Sequence, residues 1–124
     1  MTTTLTVISI PRQRYDAAKG LLELDPVTAF LEDFEPGRGQ LTLACWGRAW
    51  THFWGAMGNG STLAEFLPSA STGYIVGKLM LPRDVLLKRA EPHEERWLTQ
   101  IVEALKRELV QSAASHLTKE HDNG

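Results

Sequence analysis

A thiol and an imidazole are the first groups in this chain that could do chemistry. Cys45 is its single cysteine, and His52 follows a few residues later. A thiolate becomes a nucleophile when a nearby base or cation lowers its pKa. On a hairpin with Gly47-Arg48 as the turn, the two side chains share a face as diagonal neighbours, roughly 7–8 Å apart. That spacing is loose, and no third residue stands out to orient the imidazole. Cys45 also lies among apolar residues, and free cysteine is commonly a small core residue. A small Cys/His enzyme is therefore an alternative reading, and no catalytic residue is assigned.

Other chemistries find less support. His93, His116 and His121 have no metal-ligand spacing, so neither a metal nor a cofactor is expected. Gly55, Gly58 and Gly60 are not followed by the Lys-Ser/Thr of a phosphate loop. Thirteen basic residues face fifteen acidic ones, for a net charge of −2. That balance argues against a general nucleic-acid binder, which clusters positive charge to neutralise phosphates. Trp46, Trp50 and Trp54 lie close together. They read as a Trp-rich core or as a protein-binding patch, since tryptophan is enriched in binding hot spots. A nucleic-acid module stacking bases on this aromatic stretch, with Arg38 and Arg48 beside it, is the third reading.

The acidic residues are unevenly placed. Glu23, Asp25, Glu32, Asp33 and Glu35 meet no basic residue between Leu21 and Gly37. Asp25-Pro26 has the form of a helix start, with an N-cap acid and proline at the first helical position. Val27, Phe30, Leu31 and Phe34 then fall on one helical stripe. On that helix Glu32, Asp33 and Glu35 sit at the C-terminal end, where each costs about 0.3–1 kcal/mol against the dipole. A basic partner surface would reward them. The expected partner-binding residues are therefore Glu32, Asp33 and Glu35, with Arg38, Trp46 and Arg48.

These residues need a scaffold, and the patterning indicates an α+β fold. Residues 5–10 alternate and are β-branched, which predicts a strand ended by Pro11. Tyr15 to Leu24 reads as a short helix. Residues 40–54 read as a hairpin, with Leu41, Leu43, Cys45, Trp50, His52 and Trp54 on one face. Thr62 and Glu65 have capping-box spacing. Tyr74 to Leu81 reads as a further helix, started by Ser71 or Thr72. Residues 92–117 form the longest one, with Leu98, Ile101, Val102, Leu105 and Leu109 as its apolar stripe. That stripe serves either the core or a homodimer. A single domain is expected over 1–118, with a polar tail over 119–124.

One cysteine and no signal-peptide pattern point to the cytoplasm, and no apolar run is long enough for a membrane span. The order Pro36-Gly37-Arg38-Gly39, then Trp50, then Trp54-Gly55-Ala56-Met57-Gly58, then Thr62 to Leu67 and Tyr74 to Leu79, resembles short proteins of temperate bacteriophages and prophages. The similarity runs over residues 36–81. It implies a bacterial cell carrying phage genes, and it transfers no functional residue. Small phage proteins of that kind often bind and block a host protein. The expected function is non-enzymatic binding and modulation of a host bacterial protein, possessed of neither metal nor cofactor.

Overall fold

The computed structural model describes residues 3–58, 60–81 and 93–123, with side chains as far as Ser112. Four strands form one antiparallel meander in the order β1-β2-β3-β4: β1 (Thr4–Ile10), β2 (Val27–Glu35), β3 (Arg38–Cys45) and β4 (Arg48–Trp54). Among the described residues three α-helices follow: α1 (Leu63–Ser69), α2 (Thr72–Met80) and α3 (Glu94–Asn123). The fold is α+β, with the expected first strand, hairpin and long C-terminal helix. Pro92, at the expected start of that helix, lies outside the described residues.

Two expected helices are absent. Residues 27–35 form β2, a central strand paired along its length with β1 and β3. Val27, Ala29 and Leu31 are buried at alternate positions. Val27, Phe30, Leu31 and Phe34 suit a helical stripe, but local periodicity is a weak prior. Hydrogen bonds on both edges and the β-branched and aromatic content favour the strand. Asp25 is therefore no helix cap, and no helix dipole opposes Glu32, Asp33 and Glu35. Between Tyr15 and Leu24 only one turn of 3-10 helix forms, at Ala17–Lys19. The rest of that segment doubles back as an arm, with isolated bridges Gln13–Leu24 and Asp16–Leu21. Gln100 of α3 holds this arm: its Oε1 accepts from Leu22 N–H at 2.8 Å and its Nε2 donates to Leu22 O at 3.0 Å.

The helices cover one face of the sheet. Ile10, Val27, Leu31, Leu41, Leu43, Trp50 and Trp54 pack there against Leu63, Leu67, Ile75, Leu79, Leu98, Val102 and Leu105. The stripe of α3 is thus occupied within the chain's own core. Along the meander the opposite face carries Leu5, Val7, Phe30, Thr42, Thr51 and Phe53, and of these Leu5, Val7 and Phe53 are exposed large hydrophobics.

Glycine makes the docking of α1 possible. Gly39 is buried beneath Leu63, the first residue of α1, whose N–H donates to Asp33 Oδ1 at 2.9 Å. The helix start is further closed by the Thr62/Glu65 capping box. A Cβ on Gly39 would stand 2.9 Å from the Leu63 side chain and 3.0 Å from Glu32 O. Gly39→Ala is therefore expected to lose about 1–3 kcal/mol of stability, the usual cost of overpacking a filled site. Urea unfolding measures it, and an unchanged midpoint would disprove this account of the contact.

Candidate functional site

The β3–β4 turn is one residue earlier than Gly47-Arg48. Cys45 pairs with Arg48, so the two central residues are Trp46 and Gly47. Their φ values are 48° and 81°. Both are positive, as a type I′ turn requires. Glycine adopts this conformation freely, whereas a bulky side chain does so at a cost of about 1 kcal/mol. Trp46 is nonetheless 79% exposed, so burial in the chain does not compensate that cost.

Moving the turn by one residue shifts the register by two and leaves the faces unchanged. Leu41, Leu43 and Cys45 do share a face with Trp50, His52 and Trp54. Cys45 faces Arg48, however, while His52 faces Leu41. Four strand residues then separate thiol and imidazole, about 13 Å. They are not diagonal neighbours and cannot exchange a proton. His52 instead packs edge-on against Trp54, with ring centroids 4.6 Å apart. Burial, helped by the nearby Lys78 charge, pushes its pKa down.

Beneath the turn lies an open cleft of about 200 Å³ between the hairpin tip and α3. Trp46, Arg48, Trp50 and Cys45 form its sheet side, Trp97 and Ile101 its helix side, and Glu23, Leu24 and Asp25 its rim. The guanidinium of Arg48 is 5.4 Å from the Trp50 ring centre and 5.3 Å from that of Trp97. Each such contact contributes about 0.5–1 kcal/mol and orders an otherwise free side chain. Trp50 is fixed in turn, because its Nε1 donates to the buried carboxylate of Glu94 at 2.7 Å. Sequence reasoning placed Trp46, Trp50 and Arg48 in one aromatic stretch but missed Trp97 as their partner. Only the pairing of the hairpin with α3 brings them together.

Cys45 lines this cleft as a thiol. Partial burial raises its pKa and the Asp25 charge adds to that, with Arg48 opposing. Native protein is therefore expected to react slowly with thiol reagents at neutral pH, and faster only as pH passes the ordinary thiol value of 9.0. Fast labelling at pH 7 would refute this picture of the site.

The remaining predicted site residues lie elsewhere. Arg38 and Arg48 stand at opposite ends of the hairpin, about 25 Å apart by strand length, and form no common basic track. At the Arg38 end, Glu35 Oε1 accepts from Arg38 at 2.8 Å. Glu32 accepts a long bond from Gln40 at 3.5 Å. Asp33 caps α1 through Leu63 N–H. The structure therefore groups Glu32, Asp33, Glu35 and Arg38 at one end and Trp46 and Arg48 at the other. Among the described residues, no three His, Cys, Asp or Glu side chains converge to hold a metal. His93 is exposed, and the side chains of His116 and His121 lie outside the described residues. Among the described residues, no helix is long and apolar enough to cross a membrane.

An α+β domain with an aromatic and arginine cleft at a hairpin tip is the class of protein that fold and site define. A family model described as a phage family matches residues 3–87, and the chain belongs to that family. The match takes in β1 and β2 as well as residues 36–81, and it includes Trp46, Arg48 and Trp50 but not Trp97. No curated protein and no solved structure matches the chain.

Proposed function

We propose that this phage protein is a non-enzymatic binder that modulates or inhibits a host bacterial protein, and that the cleft at Trp46 is its docking site. One observation carries the reading: an exposed tryptophan held on a left-handed turn beside an arginine stacked between two further tryptophans. Strained backbone at a solvent-facing side chain is a feature that concentrates at binding sites. Tryptophan and arginine are also the residues most enriched in interface hot spots. A partner's apolar side chain fits between Trp46 and Trp97, and its carboxylate or carbonyl oxygens meet the Arg48 edge.

The non-enzymatic part of the reading is supported by the separation of Cys45 from His52 and by the raised thiol pKa. The acidic end of the sheet is less suited to docking, since Asp33 and Glu35 already have partners within the chain. A tagged pull-down from bacterial lysate, run in parallel with Trp46→Asn, tests the proposal. One host protein retained by the wild type and lost by the variant is the expected result. Equal retention by both would remove the cleft from the account, and retention by neither would remove the host-protein target.

A further inference from the structure

A second feature is an edge of the sheet that, among the described residues, pairs with no further strand: β1 is terminal in the strand order. Every second residue of such an edge directs its N–H and C=O outward, ready to pair with another strand. Natural edges are normally blunted by charge, proline, a bulge or brevity. Thr4–Ile10 has none of these: it spans seven residues, pairs with β2 in unbroken register and contains no charged residue, proline or glycine. The helical layer covers only its C-terminal end, where Ile10 is buried and Ile8 partly so. Thr4 and Thr6, on the helix-facing side, are exposed together with Leu5 and Val7 on the other.

From this edge we infer that β1 docks against β1 of a second copy of the chain, antiparallel, making one continuous eight-stranded sheet. A second copy is the occupant that the strand's own chemistry selects. A neutral strand meets itself without like-charge repulsion, and β-branched residues are brought opposite one another, which favours pairing. Symmetry then fixes the register. A twofold axis perpendicular to the sheet preserves its faces, so residues placed opposite must lie on the same face. The axis must therefore pass through a residue. Only an axis at Val7 pairs all of Thr4–Ile10, setting Val7 against Val7, Leu5 against Ser9 and Thr6 against Ile8. The exposed side chains Leu5 and Val7, at 56% and 51%, then cover one another across the axis. This proposal does not depend on the cleft at Trp46, which lies at the far edge of the sheet on β4.

Sedimentation of the full chain over a concentration series, with cysteine crosslinking, tests both the contact and its register. The expected wild-type mass is about twice that of one chain, and Val7→Lys, which sets two ammonium groups opposite each other, weakens association at least tenfold. Circular dichroism of Val7→Lys should match the wild type, since Val7 is exposed. In a Cys45→Ser background, Val7→Cys is expected to form an intermolecular disulfide on mild oxidation, because directly opposite Cβ atoms are about 4.5–5.5 Å apart. Leu5→Cys is expected not to, because the two copies of residue 5 are about 13 Å apart and beyond disulfide reach. A wild-type chain that stays monomeric at millimolar concentration overturns the proposal. A dimer unaffected by Val7→Lys, or one crosslinked as readily through residue 5 as through residue 7, overturns it equally.

Discussion

Trp46→Asn is expected to make the protein more stable and, on the proposed reading, to weaken its binding to a host protein. The two effects have separate origins. The native residue occupies the first central position of a turn with φ of 48°. Asparagine tolerates that conformation, and Asn-Gly is the preferred pair for such a turn. Relief of the strain is worth about 1 kcal/mol, or about 4 °C in Tm for a chain of this size. Little packing is lost in exchange, because the indole is largely in solvent. Binding should respond in the opposite sense. Truncating a hot-spot tryptophan costs about 2–4 kcal/mol, at least a 30-fold loss of affinity. Thermal unfolding and quantitative capture of the partner, measured on the same preparation, decide the matter. A variant that is both stabilised and still fully competent would mean the tryptophan is there for neither fold nor partner.

The strain at Trp46 also explains why this site was only half legible in the sequence. Residues 40–54 show the hairpin and its faces, because alternation alone determines which side chains share a side. Alternation does not locate the turn. Gly47-Arg48 and Trp46-Gly47 give the same faces and differ only in register. Turn propensity favours the former, since tryptophan is a poor residue at positive φ. The structure takes the latter, which leaves Arg48 in the strand and in place between Trp50 and Trp97. The local preference yields to contacts with a helix that lies far away in the sequence. Residues such as Leu98, Ile101 and Leu105 were readable because a long amphipathic helix needs no information beyond its own period.

Residues 27–35 pose the converse problem, and a pair of substitutions there has the largest expected effect on stability. Leu31→Ala is expected to cost about 3–5 kcal/mol, whereas Phe30→Ala costs about 1 kcal/mol or less. Leu31 is fully buried under the helices, so its truncation removes apolar contact and leaves a cavity. Phe30 points to the opposite face, beside Val7 and Thr42, where only cross-strand pairing is lost. On a helix the two positions would belong to one apolar stripe and their truncations would cost similar amounts. On a strand they lie on opposite sides, one fully buried under the helices and one only partly buried. Domains of this size are stabilised by only about 5–15 kcal/mol in total, so Leu31→Ala should remove a large share of that margin. Denaturant titration of both variants, with equal slopes, separates the two cases. Comparable losses at both positions would be incompatible with a sheet covered on one face only. The same comparison bears on the β1 edge, because Val7 and Leu5 continue the face on which Phe30 lies.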